Sequence, residues 1–325
     1  KLTGSALGEM TVPVVQQVAN HLAASGGKFS GTELVTVMAG GNDVLMQLAT
    51  LSGGATAAGQ AAGLKAGQTA FATSLTMQLA AGATNPATAA QAIGLAIQTE
   101  SANPSHTDTT VVTAAVTAAA SQPGNAAVAS LAVYGPMVAK AQADAAAAGA
   151  TGGAKAGADY FAANAPGLVT AMGTAGAELA ALVKTQIVAK GANYVVVNNL
   201  PDVANTPSGK SQSASVQALI KSAVDAFNSQ LASGLAGEPK VLLVDLYTVS
   251  HDEVLNPAPY GLTNVSTPAC GPNALGTTSL VCNSTNTITG DVSHYMFADD
   301  IHPTPFEYSL VARYVLEQMI VKGWL

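Results

Sequence analysis

The chain has 325 residues, of which 49% are hydrophobic and only 10% charged, with a formal net charge of −7. That is enough apolar material for a sizeable core, which argues against disordered and fibrous classes. No Lys/Arg-rich run or basic-aromatic alternation occurs, so nucleic-acid binding has little support.

Taken in order, Val14, Val15, Val18 and Leu22 fall on one face of a helix expected over Pro13 to Ala24, which Gly26-Gly27 ends. Leu34 to Ala39 is then a short apolar, β-branched run stopped by Gly40-Gly41, the pattern of a buried parallel strand that opens into a loop. The same pattern recurs twice. Tyr194 to Val197 runs into Asn198-Asn199-Leu200-Pro201-Asp202, and Val241 to Val244 runs into Asp245-Leu246-Tyr247. Helices expected over Ala175 to Lys190 and Ser215 to Leu231 precede these strands. Strands alternating with helices imply a parallel sheet covered on both faces, with its site outside the carboxyl ends of the strands.

Between them, Ser52 to Pro166 is dominated by Ala, Gly and Thr. Helices are expected there over Leu64 to Ala81, Ala87 to Gln98 and Val111 to Ala120, with breaks at Gly82, Pro104 and Pro123-Gly124. The stretch reads as a helical insertion packed through small side chains, with Ala145 to Gly157 its loosest part. Its expected role is a helical lid or substrate-binding wall, against the alternative of a scaffold or oligomerisation element. The apolar windows are short and rich in small residues, and none reads as a membrane span.

Cys270 and Cys282 are an even pair in a polar loop, the pattern of a disulfide and an oxidising compartment; the competing reading is two reduced thiols. The final helix is marked by Thr304 and Glu307 at capping-box spacing with Pro305 at its first position, and by an apolar stripe of Leu310, Tyr314, Val315, Met319 and Ile320. His302 therefore sits on a loop just ahead of a capped helix. Asp299, three residues earlier, can hold one imidazole nitrogen and leave the other free as a base.

Gly40-x-Asn42-Asp43 after one strand, Asn199-Leu200-Pro201-Asp202 after another and Asp299-x-x-His302-Pro-Thr before the last helix form an ordered set. It resembles the SGNH/GDSL esterase-lipase family, and the segment around Asn256 to Gly261 with the cysteine loop resembles its bacterial extracellular branch. The resemblance covers about Val12 to Leu51 and Leu168 to Leu325. It implies a single three-layer α/β/α, flavodoxin-like domain over 1–325 with the Ala-rich stretch at 52–166 inserted, and a secreted or cell-surface carboxylic-ester hydrolase. His302 would be the acid-base, with Asp299 orienting it and Asp300 the neighbouring alternative. Asn42 would donate its amide to the oxyanion, or else cap the following helix. Gly40 and Gly41 would allow close approach to substrate, or merely end the strand, and Asp43 would brace the loop.

The family's first block, which carries the nucleophilic serine, is not recognisable. Thr3-Gly4-Ser5-Ala6-Leu7 echoes it without the Asp or a preceding strand. The expectation is that the N-terminal strand or strands, with the serine, lie on a separate or cleaved fragment of the same precursor. The alternatives are a noncatalytic binding protein with this fold, or an acyltransferase. Neither a cofactor nor a metal is called for: His21, His106, His251 and His294 are scattered and read as surface or core residues, with His294 placed nearest the substrate entrance.

Overall fold

The computed structural model describes residues 12–276 and 278–325, so Ser5 and its neighbours lie outside the described residues. The chain divides into two compact units, one formed by 1–49 with 165–325 and the other by 50–164.

The first unit holds a parallel sheet of three strands, β1 (Leu34–Met38), β2 (Tyr194–Asn198) and β3 (Val241–Val244), in the order β1-β2-β3. Leu34 pairs with Tyr194 and Met38 with Asn198, while Val195 pairs with Val241 and Asn198 with Val244. Val195, Val196 and Val197 are fully buried. That fits the unbroken apolar run expected of a strand covered on both faces.

Helix α1 (Val14–Ala24) precedes β1, but of its four expected apolar positions only Val18 is buried, and Val15 is exposed. Helix α2 (Gly41–Ala80) begins directly after β1. The turn between them depends on Gly40, whose φ is +109° and where a Cβ would lie 2.6 Å from the Phe227 ring. A side chain there meets both backbone strain and a blocked space. Phe227 belongs to α7 (Ala214–Leu235), which buries Leu219, Ile220, Val224, Phe227 and Leu231.

Between β2 and α7, Thr206 caps the short helix α6 (Pro207–Lys210). After β3, Asp245 caps α8 (Leu246–Leu255) with its carboxylate accepting from Thr248 N–H. Helix α9 (Pro305–Lys322) then returns across the sheet. Val311, Tyr314, Val315, Met319 and Trp324 pack with Val196 and Val244. Leu310 packs instead with Met296 and Phe297, and Ile320, expected in the stripe, faces solvent. The capping box is also only half made. Thr304 accepts from Glu307 N–H, but the Glu307 side chain turns inward and is buried.

The second unit is helical. It contains most of α2, then α3 (Pro86–Ser101), α4 (Asp108–Ala120) and the first part of α5 (Leu131–Leu182). Asn85 caps α3, and Thr107 with Thr110 forms a complete capping box on α4. Leu75, Leu79, Ile93, Ile97, Val111 and Val116 lie in its core.

Helices α2 and α5 are longer than the glycine- and proline-punctuated sequence suggests, and α5 runs on through Pro166. Within this unit they pair closely. A Cβ on Gly59 would sit 2.9 Å from Gly153 O, one on Gly63 2.9 Å from Gly149 O, and one on Gly67 3.2 Å from Ala145 O. Each step of four along α2 meets a step of four back along α5, so the helices are antiparallel and nearly in backbone contact. Ala145 to Gly157, the segment read as loosest, is part of this pairing. By length and composition the helical run 131–190 could cross a membrane, and 33% of its most apolar window is buried. Its apolar character comes from small residues rather than from a long Leu/Ile/Val run, which is why the sequence alone shows no span there.

Candidate active site

The site is built from the loop that leads into α9. Phe297 bridges Pro303, and Ala298 N–H donates to His302 O at 2.8 Å, so residues 297–303 close into a tight loop. Thr304 anchors its end, donating its hydroxyl to Tyr295 O and its N–H to Met296 O. Ser208 N–H donates to Asp300 O, tying the loop to the segment that follows β2.

Inside this loop the structure brings Asp299 and His302 together. The imidazole Nδ1 lies 2.8 Å from Asp299 Oδ2 and 3.0 Å from Oδ1. The Asp299 side chain is 7% exposed and the His302 side chain 50%. Asp299 also accepts backbone N–H groups from His302 at 2.6 Å, Ile301 at 2.9 Å and Ser279 at 2.5 Å. Burial pushes its carboxyl up, but these three donors and the imidazole outweigh that and hold it down at about 2. A fixed negative charge therefore faces Nδ1. It favours the tautomer with the proton on Nδ1 and leaves Nε2 free to take one. Nε2 makes no hydrogen bond among the described residues. Asp300, by contrast, is exposed, and its carboxylate makes no hydrogen bond to the ring.

Ser279 was invisible to a motif search because it contributes only a backbone N–H from a loop distant in sequence. That loop is closed by a disulfide between Cys270 and Cys282. Ala269 and Cys270 also donate N–H groups to Phe297 O and Ala298 O, the two residues just before Asp299.

Gly40, Gly41 and Asn42 lie at the carboxyl end of β1. Asn42 is exposed at the start of α2, and its amide makes no hydrogen bond among the described residues, so nothing shows it spent on capping. Asp43 is likewise exposed in the first turn.

The remaining histidines have packing partners. His21 stacks on Phe29, His294 stacks on Phe306 and bonds Gly261 O, and His106 bonds Asn103 O. His251 is different: its Nδ1 lies 2.6 Å from the buried Asp202, in the geometry of the His302 pair. Forty-nine residues separate the two, so no local spacing announces them. Among the described residues no three His, Cys, Asp or Glu side chains gather to hold a metal ion.

A second unannounced feature lies behind the loop. Glu253 of α8 and Glu307 of α9 are 1% and 3% exposed and face each other. Burial and mutual repulsion push Glu253 up to about 8, and burial pushes Glu307 up to about 7.

No family model matches the chain. It is similar to several GDSL esterases/lipases of Arabidopsis thaliana. One is 34% identical over 80 residues, which is 25% of this chain and 22% of that protein. The GDSL esterase/lipase APG is 27% identical over 145 residues, 41% of each chain. A third is 32% identical over 96 residues, 30% of this chain and 26% of the other. The matched stretches thus span less than half the length of these relatives. The similarity supports a GDSL-type relationship, and the three-stranded parallel sheet with its helices is consistent with the α/β fold of SGNH hydrolases.

Proposed function

We infer that the chain supplies the acid-base half of a serine carboxylic-ester hydrolase, acting outside the cytoplasm. The observation that carries this is the His302–Asp299 couple: a buried carboxylate held ionised by three backbone donors, a half-exposed imidazole locked onto it, and a free Nε2. In this reading Nε2 takes the proton of a serine hydroxyl as its oxygen attacks the ester carbonyl. The imidazolium, stabilised by Asp299, then returns the proton to the departing alcohol. Water repeats the sequence to release the acid. Asn42 donates its uncommitted amide to the tetrahedral oxyanion, a contribution of about 3–4 kcal/mol for a donor aimed at developing charge. The serine comes from a segment of the same precursor outside the described residues. The relatives are named GDSL esterases/lipases, which supports the ester chemistry. The disulfide supports an oxidising compartment.

The test is fluorophosphonate labelling together with p-nitrophenyl ester hydrolysis, on protein expressed from its full coding region. Labelling and turnover are expected, with His302→Ala lowering turnover by at least about a thousandfold. An unlabelled, inert protein would mean a binding function on the same fold. Turnover untouched by His302→Ala would refute the assignment.

A further inference from the structure

The disulfide holds more than its own loop. Asp299 uses its two carboxylate oxygens differently. Oδ1 accepts from Ile301 N–H and His302 N–H, whereas Oδ2, the oxygen nearer His302 Nδ1, has Ser279 N–H as its backbone donor. The first two donors belong to the same tight loop as Asp299. Ser279 comes from outside it, and fixing Oδ2 against that N–H stops the carboxylate from turning away from the ring.

What keeps Ser279 in place is covalent. Among the described residues from 271 to 290 none is buried, and Leu275 and Leu280 are 83% and 77% exposed. A loop without apolar anchors opens easily. The Ser279 turn is tied by Cys282 N–H to Ser279 O and by the Asn273 side-chain amide to Val281 O, bonds that lie wholly inside the loop. Cys270, by contrast, is 9% exposed and fixed to the catalytic loop, its N–H donating to Ala298 O at 3.0 Å. The disulfide therefore joins a fixed point next to Asp299 to the residue that closes the Ser279 turn. The base of the loop is closed independently, by Gly271 N–H to Asn286 O and Ile288 N–H to Ala269 O. Opening the disulfide thus slackens residues 272–285 and leaves the frame beneath them standing.

We propose that Cys270 and Cys282 form an oxidative switch on the acid-base couple; the proposal rests on the esterase reading above. As free thiols they leave Ser279 loose and His302 poorly aligned. Closing the disulfide seats Ser279 on Asp299 and completes the couple. The chemistry is thiol–disulfide exchange with a donor disulfide. The thiolate of the partly exposed Cys282 attacks one donor sulfur and releases the other as a thiolate. The Cys270 thiolate then attacks Cys282 Sγ and expels the first donor sulfur. Two electrons pass from the cysteines to the donor, and the two thiol protons end on the donor's dithiol. Thiols stay reduced in the cytoplasm, so a chain bound for an oxidising compartment would be weakly active where it is made and gain its activity on arrival.

The experiment compares three forms of the protein expressed from its full coding region: oxidised, reduced with dithiothreitol, and Cys270→Ser with Cys282→Ser. Hydrogen exchange at the Ser279 amide, the downfield proton resonance of His302 Nδ1 and p-nitrophenyl ester turnover are read together, with exchange at residues 195–197 reporting on the sheet. Opening the disulfide should speed Ser279 exchange at least about tenfold. It should also weaken the Nδ1 resonance and lower kcat at least about tenfold with a smaller change in KM, while 195–197 stay protected. Oxidised glutathione should restore all three readouts in the reduced protein and none in the double variant. Ser279 exchange and the Nδ1 resonance indifferent to reduction would overturn the switch, as would loss of protection at 195–197 in step with Ser279, which would make the disulfide a support of the whole fold. A turnover unchanged by reduction while Ser279 loosens would also overturn it. If Ser279 and the resonance respond but no ester is hydrolysed in either state, the switch on the couple stands and the esterase reading falls.

Discussion

The Ser279 N–H can be removed almost alone, which makes the support of Asp299 measurable. Ser279 opens a single 3-10 turn, and Thr278 before it is extended at φ −85° and ψ 156°. Proline is tolerated at such a first position, and an extended preceding residue does not clash with its ring. Ser279→Pro therefore deletes one donor to Asp299 and little else. A hydrogen bond to a charged group contributes about 1.5–3 kcal/mol. The drop of the Asp299 carboxyl from 3.8 to about 2 corresponds to roughly 2 kcal/mol in total favour of the charged form, so a loss of about 1–2 kcal/mol is expected at pH 7. Because the folded-state value is depressed, Asp299 contributes stability above its ordinary range and loses it as pH falls from about 4 to about 2. The gap between Ser279→Pro and the parent, followed by denaturant unfolding, should thus be widest at neutral pH and shrink toward pH 2. Ser279→Ala keeps the N–H and should stay within about 0.5 kcal/mol of the parent. A pH-independent gap, or none at pH 7 while Ser279→Ala is also silent, would refute the account of how Asp299 is held ionised.

Two further perturbations address the frame around the site. For Glu253 and Glu307, whose folded-state values are raised, the stability they contribute is complete below about pH 4.5 and is lost as pH climbs through about 7 and 8. Glu253→Gln should flatten that decline and leave the variant more stable at pH 8 by on the order of 1 kcal/mol, read from melting temperature against pH; an unchanged slope would refute it. Gly40→Ala combines a φ of +109° with a Cβ 2.6 Å from Phe227. It should cost at least about 2 kcal/mol in chemical unfolding, and a neutral result would show that the β1–α2 turn relaxes freely.

What was legible in the sequence was whatever is local. Three strands announced themselves as short apolar runs ending in Gly, Asn or Asp, and the α9 start was written in Thr304 and Pro305. Asp299 and His302 were legible for the same reason, being three residues apart in one loop. Contacts made across the fold left no such trace. Ser279 reaches Asp299 over 20 residues through its backbone, and Asp202 finds His251 over 49. Glu307 looked like the second half of a capping box, yet burial beside Glu253 claimed its side chain instead. Ile320 fitted the periodicity of a buried stripe but lies on the flank. Periodicity identifies an apolar side of a helix, not how much of it the rest of the chain covers.

The antiparallel pairing of Gly59, Gly63 and Gly67 with Gly153, Gly149 and Ala145 changes how the Ala-Gly tract should be read. A composition this plain looks interchangeable, two small residues alternating without consequence. Along the seam they are not: a single methyl on Gly59 or Gly63 meets a carbonyl oxygen at 2.9 Å, while Gly53 and Gly94, off the seam, have open space around them. The tract is therefore a two-letter text in which position carries the meaning. A mutational survey should find its intolerance in steps of four, on residues that composition alone would class as filler.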